Sequence, residues 1–394
     1  YGWYLWHWPV LLLAPRVLGD EPGLLVTLGL AGASLGLAAV SYALLEDPMR
    51  RQRALVASPV RSLAVGAACV ALAYAGGTAT AGLLPQVRGD GPMVGSVQAG
   101  GGGESEVRRA VQESHDLEQV PVNLQPVLDR AEDDVARARS ADGISCMVAA
   151  EDVDVSREPG GSCVFADPPD ARATVVLTGD SHAYQWYPAM ERIAEQQGWR
   201  LVVMTKAGCP LYDVALVNNT FNRDYTECYE WREKAMDRIE AEQPDMVVVS
   251  AAVFSPREGD FAQRWADGVT ESTQQLQART GAQVVSLQDT PIPGRDVPRC
   301  VAEHLDDVQE CTATRDKALT DQARRQATAQ AALDAGATVV DPVPWFCQEG
   351  CPPIIGNTLA YHDGDHISAT YAQQLAPLLA DRLTGALRSA GRAA

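Results

Sequence analysis

The chain has 394 residues, with 51 acidic against 32 basic side chains, a net charge of −19 and nine cysteines. That length accommodates two domains, or one domain with a membrane appendage. A surface so acidic repels phosphate backbones, which excludes nucleic acid as a partner.

The chain begins at Tyr1, inside an apolar run and not at Met, so a longer protein is expected. No basic segment precedes the run and no small-residue cleavage site follows it, which argues against a signal peptide. Three apolar stretches open the sequence: Tyr1 to about Leu18, rich in aromatics, then about Gly23–Leu45 and about Leu63–Leu84. The latter two have the ~20 uncharged residues that cross a bilayer core, and their Gly and Ala suit close helix packing in lipid. A buried helix pair in a soluble protein is the alternative. Residues 1–84 hold Arg16, Arg50, Arg51, Arg53 and Arg61 against Asp20, Glu21, Glu46 and Asp47, a net of +1 that leaves −20 for the remainder. Four of those arginines lie in the 46–61 loop. Positive loops stay cytoplasmic, so everything after Pro85 is expected outside.

Residues 85–140 read as a tether and linker: Gly89–Ser105 is Gly-rich, and 106–140 is polar, partly helical and expected to pack loosely. The other domain boundaries follow, with membrane helices over 1–84 and an outer domain over 141–394. Eight of the nine cysteines follow residue 140, in close pairs: Cys146 and Cys163, Cys209 and Cys228, Cys300 and Cys311, Cys347 and Cys351. An even number suits disulfides in an oxidising compartment. Neighbour pairing is one of 105 connectivities. Zinc is the rival reading, without a CxxC pair to support it.

From about Ala171, short β-branched runs alternate with amphipathic stretches. Strands are expected at Ala173–Thr178, Arg200–Thr205, Met246–Ser250, Gln283–Leu287 and Thr338–Val340, with helices near 184–197, 225–242, 260–279, 312–335 and 369–387. This alternation predicts an α/β fold, a parallel sheet with helices on both faces.

Ligands of such sheets gather beyond the carboxyl ends of the strands. The first strand runs directly into Gly179-Asp180-Ser181-His182 and then a helix. Ser181 is thereby placed where its hydroxyl is exposed and backbone N–H groups face a developing oxyanion. A serine there is also an ordinary N-cap. A nucleophile needs a base, and the base an orienting group. After the last strand comes Tyr361-His362-Asp363-Gly364-Asp365-His366-Ile367-Ser368. On a loop, Asp363 can fold back onto one ring nitrogen of His366 while the other faces Ser181, and Gly364 eases the turn. A metal site built from His362, Asp363, Asp365 and His366 competes, although Gly364 speaks against the helical spacing of H-x-x-x-H sites. His182 is expected to line the pocket and not to act as the base.

Gly179-Asp180-Ser181-His182 together with Asp363-Gly364-Asp365-His366 resembles the first and last signature blocks of SGNH hydrolases, in particular SGNH domains fused behind membrane acyltransferase-3 proteins. Tyr4-Leu5-Trp6-His7-Trp8-Pro9 and Glu46-Asp47-Pro48 resemble the end of that membrane domain, and the Cys347–Cys351 segment running into Tyr361 resembles the fused type. The resemblance implies a flavodoxin-like parallel sheet, with Ser181 as nucleophile, His366 as general base and Asp363 as its orienting acid. It further implies an oxyanion hole from the backbone N–H groups of Ser181 and Gly208, the latter in Lys206-Ala207-Gly208-Cys209-Pro210. The family's third block supplies an Asn, whereas this chain has Val249-Ser250-Ala251-Ala252 there.

Function follows as an expectation from the resemblance: an O-acyltransferase, commonly for acetyl, modifying a cell-envelope glycan or glycolipid outside the plasma membrane. An upstream membrane domain would deliver the acyl group, and neither metal nor cofactor is implied. His7 is expected to be a packed membrane histidine. An envelope esterase and a non-catalytic glycan-binding module are the rivals.

Overall fold

The computed structural model describes residues 1–18, 23–81, 87–97, 103–139, 143, 145–155, 163–218, 220–253 and 260–391. They fall into two units, Tyr1–Pro85 and Gln86–Ala394.

In the first unit, helix Gly2–Leu18 packs on helix Leu24–Ser41. Two indoles fasten them: Trp3 Nε1 donates to Ser34 Oγ (3.0 Å) and Trp6 Nε1 to Ser41 Oγ (2.8 Å). His7 Nδ1 lies 3.2 Å from the Trp3 carbonyl of its own helix. The second helix continues through a π turn, Tyr42–Glu46, into Asp47–Arg51. Pro59–Ala81 forms the third long helix, starting four residues before the expected stretch because Pro59 is pre-organised for a first helical turn. Leu24–Arg51 and Pro59–Ala79 are long and apolar enough to cross a membrane. The Gly19–Pro22 turn and the end of the third stretch lie outside the described residues.

The second unit is built on one sheet. Its strands are β1 (Met147–Val148), β2 (Val164–Phe165), β3 (Thr174–Gly179), β4 (Arg200–Lys206), β5 (Met246–Ser250), β6 (Gln283–Leu287) and β7 (Thr338–Val340). The order is β1-β4-β3-β5-β6-β7, all parallel, with β2 antiparallel on the remaining outer edge of β4. Counting from β3, the five long strands run 2-1-3-4-5, the flavodoxin-like order whose direction reverses between β3 and β5. Side chains alternate across the pleat. Val175, Leu177, Leu201, Val203, Val248 and Val285 belong to one apolar layer, which includes residues of helices Tyr187–Gln197 and Ala369–Ser389. Val176, Val202, Met204, Val247 and Val284 belong to the opposite layer, with residues of Thr226–Glu242, Phe261–Thr280 and Gln322–Asp334. Both faces are covered, which is why these strands read as continuous apolar runs.

All five expected strands form, within a residue at each end. The expected helix over 312–335 does not form in one piece. Ala313–Thr314 pairs antiparallel with Gly350–Cys351, a short turn Arg315–Ala318 follows, and Gln322–Asp334 starts afresh where the Asp321 side chain accepts from Arg324 N. A further helix, Val297–Glu303, carries a signal that the reading passed over: Asp296 caps it by accepting from Arg299 N, and Pro298 sits in its first turn.

Among its described residues, the 85–140 segment is held by many partners and is not loosely packed. Gly91 N donates to Val120 O, Asn357 N to Gly95 O, and Gln125 N to Asn357 O. Tyr184 Oη accepts from Ala138 N (2.8 Å), and the Asp134 carboxylate accepts from Thr370 N at the start of the last helix. Gly89 is there for close approach, since a Cβ would stand 1.9 Å from the Val120 carbonyl oxygen.

Four disulfides join the sequence neighbours: Cys146–Cys163, Cys209–Cys228, Cys300–Cys311 and Cys347–Cys351. Cys69 is free and exposed. The first bridge ties the two-residue strands β1 and β2 beside β4, pairings too short for any periodicity to signal.

Candidate active site

β3 delivers its chain to the switch point, and Gly179 makes the turn there. Its φ is +138°, and a Cβ would stand 1.9 Å from the Ser250 carbonyl oxygen, so no other residue fits without moving β5. Asp180 is the N-cap of the short helix Ser181–Tyr184, accepting from His182 N at 2.9 Å. Its other oxygen accepts from Ala252 N at 2.9 Å, which ties the turn to the loop after β5. Burial raises the pKa of this carboxyl, against the opposing pull of His182. The cap is therefore Asp180, which leaves the Ser181 hydroxyl available.

The base arrives on the loop before the last helix. Tyr361 and Ile367 pair antiparallel and close it. Asp363 Oδ1 accepts from the backbone N–H groups of Asp365 and His366 (2.9 and 2.6 Å), which folds Asp363 back as the three-residue spacing requires. Its Oδ2 lies 2.8 Å from His366 Nδ1, and His366 Nε2 lies 2.9 Å from Ser181 Oγ. Ser181, His366 and Asp363 thus meet in the order that the resemblance requires of nucleophile, base and orienting acid, with Ser181 and His366 185 residues apart in the chain. Ser368 caps the final helix, its Oγ accepting from Tyr371 N at 3.1 Å.

Two carboxylates, not one, face His366: Asp365 Oδ1 is 3.1 Å from Nδ1. Burial depresses the pKa of His366, but the bonds to Asp363 and Asp365 outweigh it and raise it to about 9. Asp363 moves the opposite way: burial would raise it, and the hydrogen bond from His366 with its charge holds it below the usual carboxylate range.

The two backbone N–H groups that the resemblance names as oxyanion donors sit at matched depth. Gly179 pairs in register with Thr205, so Ser181 and Gly208 follow the same level of the sheet by two and three residues. Ser181 N is at the first helical position, where no intrahelical acceptor exists. Gly208 lies in an open, exposed turn with φ +61°. That turn is braced by the Cys209–Cys228 disulfide, by Tyr225 Oη donating to Ala207 O (2.6 Å), and by Ala207 N donating to Val148 O (2.9 Å). Lys206 is buried just before it, its Nζ donating to the carbonyls of Ala149 and Ala150. Where the resemblance places an Asn, the two backbone N–H groups are spent on carboxylates: Ala252 N on Asp180 and Val253 N on Asp289.

His182 does not line the pocket. It is wholly buried, with Nδ1 2.5 Å from Asp289 Oδ1. Asp289 and Gln185 are site residues that the sequence reading missed. Asp289 follows β6 by two residues, a position that strand-end logic alone could have flagged. His182, Asp365 and His366, and likewise His362, Asp363 and His366, are close enough to share an ion. In the present geometry, however, the two His366 nitrogens face Asp363 and Ser181.

The arrangement can take a proton from Ser181 Oγ onto His366 and receive negative charge at two backbone N–H groups, the requirements of acyl transfer through a serine ester. Residues 145–381 match the family described as "SGNH domain (fused to AT3 domains)". Among solved structures, the periplasmic domain of a lipopolysaccharide acetyltransferase from Salmonella ser. Paratyphi A is similar at 12% identity and a TM-score of 0.45, covering 55% of this chain and 85% of that one. A carbohydrate esterase family 2 enzyme from Corynascus thermopiles (Myceliophthora fergusii) is similar at 15% identity and a TM-score of 0.33, covering 56% and 68%. No curated protein matches the chain.

Proposed function

Because this chain belongs to the family of SGNH domains fused to AT3 domains, we propose that it is the C-terminal part of an O-acyltransferase that modifies a cell-envelope glycan or glycolipid, with acetyl as the acyl group. The observation that carries the reading is the Ser181–His366–Asp363 chain of contacts at the switch point of the sheet. Residues 1–84 are the last helices of the AT3 membrane domain in a multi-pass protein of the bacterial plasma membrane. The outer unit then faces away from the cytoplasm, the side on which its four disulfides persist.

In the first half-reaction Ser181 Oγ attacks the acyl carbonyl carbon while its proton passes to His366 Nε2. The carbonyl oxygen becomes an oxyanion that accepts from the N–H groups of Ser181 and Gly208. As the bond to the leaving group breaks, His366 returns the proton to that group. In the second half an acceptor hydroxyl gives its proton to His366 and attacks the Ser181 ester, and Ser181 leaves with the proton restored. Asp363 keeps His366 in the tautomer with its proton on Nδ1. The donor is an acyl group passed outward by the upstream membrane domain from a cytoplasmic thioester. With water as acceptor, the same steps make an esterase.

The test is mass spectrometry of envelope glycans from cells carrying the full-length protein or its Ser181→Ala variant. Loss of an O-acyl group in the variant is expected. Unchanged acylation would remove the serine from the chemistry. Purified chain that releases an activated acetyl ester only to water, whatever hydroxyl acceptor is added, would identify the esterase.

A further inference from the structure

The residue after the nucleophile is a fully buried histidine, and nothing in acyl transfer requires one there. His182 Nδ1 lies 2.5 Å from Asp289 Oδ1, and His182 Nε2 lies 3.9 Å from Asp365 Oδ2. The other oxygen of Asp365 lies 3.1 Å from Nδ1 of His366. Four side chains from three segments therefore form one line: Asp289, His182, Asp365, His366. We propose that His182, paired with buried Asp289, is a positioning residue for the base: it holds Asp365 in place as a second carboxylate on His366.

The charge on His182 follows from its partners. A carboxylate only accepts; Asp289 is within hydrogen-bond distance of Nδ1 and Asp365 stands at ion-pair distance from Nε2, so a ring protonated on both nitrogens suits both carboxylates. Burial opposes the charged ring, and Asp289 outweighs it, so His182 stays protonated well above the usual histidine range. Asp289 is itself held ionised. Its Oδ2 accepts from Val253 N at 2.6 Å and lies 3.6 Å from Arg325 Nη2. Asp365 is held far below its ordinary pKa by His182 and His366. No proton leaves His182 in either half-reaction; it acts through Asp365 and through its own charge.

The groups facing His366 are Asp363 and Asp365 on its own loop, His362 stacked on it at 5.8 Å, and His182, whose ring centre is 4.9 Å away. Beyond them, His182 also meets Asp180 from its own turn, and Asp134 acts on His362. Two carboxylates on Nδ1 strengthen His366 as a base but weaken it as the acid that must return the proton. The nearby positive charge of His182 offsets the second carboxylate, so Asp365 can align the ring without making His366 too basic to release its proton.

The inference rests on the proposed role of Ser181 and His366, and one experiment separates the two. Purified full chain is mixed with p-nitrophenyl acetate, and the single-turnover rate of Ser181 acylation is followed from about pH 5 to about pH 10, where a base limb reports the free base. Ser181→Ala supplies the background. Asp365→Asn should move the limb of His366 down by about 1 pH unit or more, as removal of a contacting opposite charge does. His182→Gln and Asp289→Asn should each loosen the hold on Asp365, so that adding Asp365→Asn to either variant moves the limb less than it does in the wild type. Asp365 is half-exposed, so its variant decides the matter even where the buried substitutions prevent folding. Slower rates with an unmoved limb in Asp365→Asn would overturn the inference and leave an ordinary structural role. Full acylation in Ser181→Ala would instead overturn the functional reading beneath it.

Discussion

Gln185 and Ile367 join the helix that carries Ser181 to the loop that carries His366. Gln185 Oε1 accepts from Ile367 N at 2.9 Å, one residue from His366 and one helical turn from Ser181. The other end of the amide donates to Thr290 Oγ1 at 3.3 Å, so both ends are engaged. A contact of 2.9 Å between Ser181 and His366 depends on the two segments keeping this separation.

Gln185→Leu should therefore leave the buried Ile367 N–H without an acceptor, at a cost of about 1–3 kcal/mol. Differential scanning calorimetry should show a lower Tm, by ~2–4 °C per kcal/mol for a unit of this size. Labelling of Ser181 by a fluorophosphonate should slow by at least ~10-fold, since small misplacements of reacting groups are costly. Wild-type labelling in the variant would show that the loop is held by other contacts.

Ser181→Ala should abolish that labelling and His366→Ala nearly so. Asp363→Asn should cost less than the ~10⁴-fold seen where a triad has a single acid, because Asp365 already stands 3.1 Å from the same nitrogen. The double variant Asp363→Asn, Asp365→Asn should show the larger loss. Rate constants for labelling measure this directly, and equal losses in the single and double variants would count against a shared role.

pH should act on rate and on stability in different directions. His366 must be neutral to accept a proton, so acylation should rise with pH through about 9. Its folded pKa lies above its ordinary value of 6.5, so the stability it contributes is complete below about 6.5 and is lost as pH rises through about 9. Asp363 has a folded pKa below its ordinary 3.8, so its contribution is present above about 3.8 and is lost as pH falls below that. Urea melts across this range should find the two groups jointly most stabilising between about pH 4 and pH 6.5, with Ser181→Ala serving to keep turnover out of the measurement.

Non-reducing peptide mapping should recover four bridges, and thiol titration of the denatured, unreduced protein should count one cysteine, Cys69. Cys146–Cys163 and Cys209–Cys228 close loops of 17 and 19 residues, each expected to stabilise by about 3 kcal/mol. Removing the second bridge should also slow acylation, because it braces the turn that carries Gly208.

Much of this protein is written locally. The five long strands are legible because both faces of the sheet are covered, which demands unbroken β-branched runs. Gly179 through Ser181 could be placed because a strand that ends in glycine and an N-cap leaves few conformations for the next residue. The three-residue spacing of Asp363 and His366 is a property of one turn; the cysteines lie in close pairs, although spacing alone leaves 105 connectivities open. None of this required knowing where distant segments lie. The remainder did. Asp289 meets His182 across 107 residues and Gln185 meets Ile367 across 182, and each partner is chosen by the order in which the strands are laid side by side. The same holds for β1 and β2, two residues each, which are strands only because the edge of β4 offers them hydrogen bonds. It holds too for Gly89 and Gly91, which read as part of a flexible tether but leave room for the Val120 backbone. Local periodicity reports which face of an element is buried. What it is buried against depends on sheet order and on contacts between residues far apart in the chain, and only the folded structure supplies those.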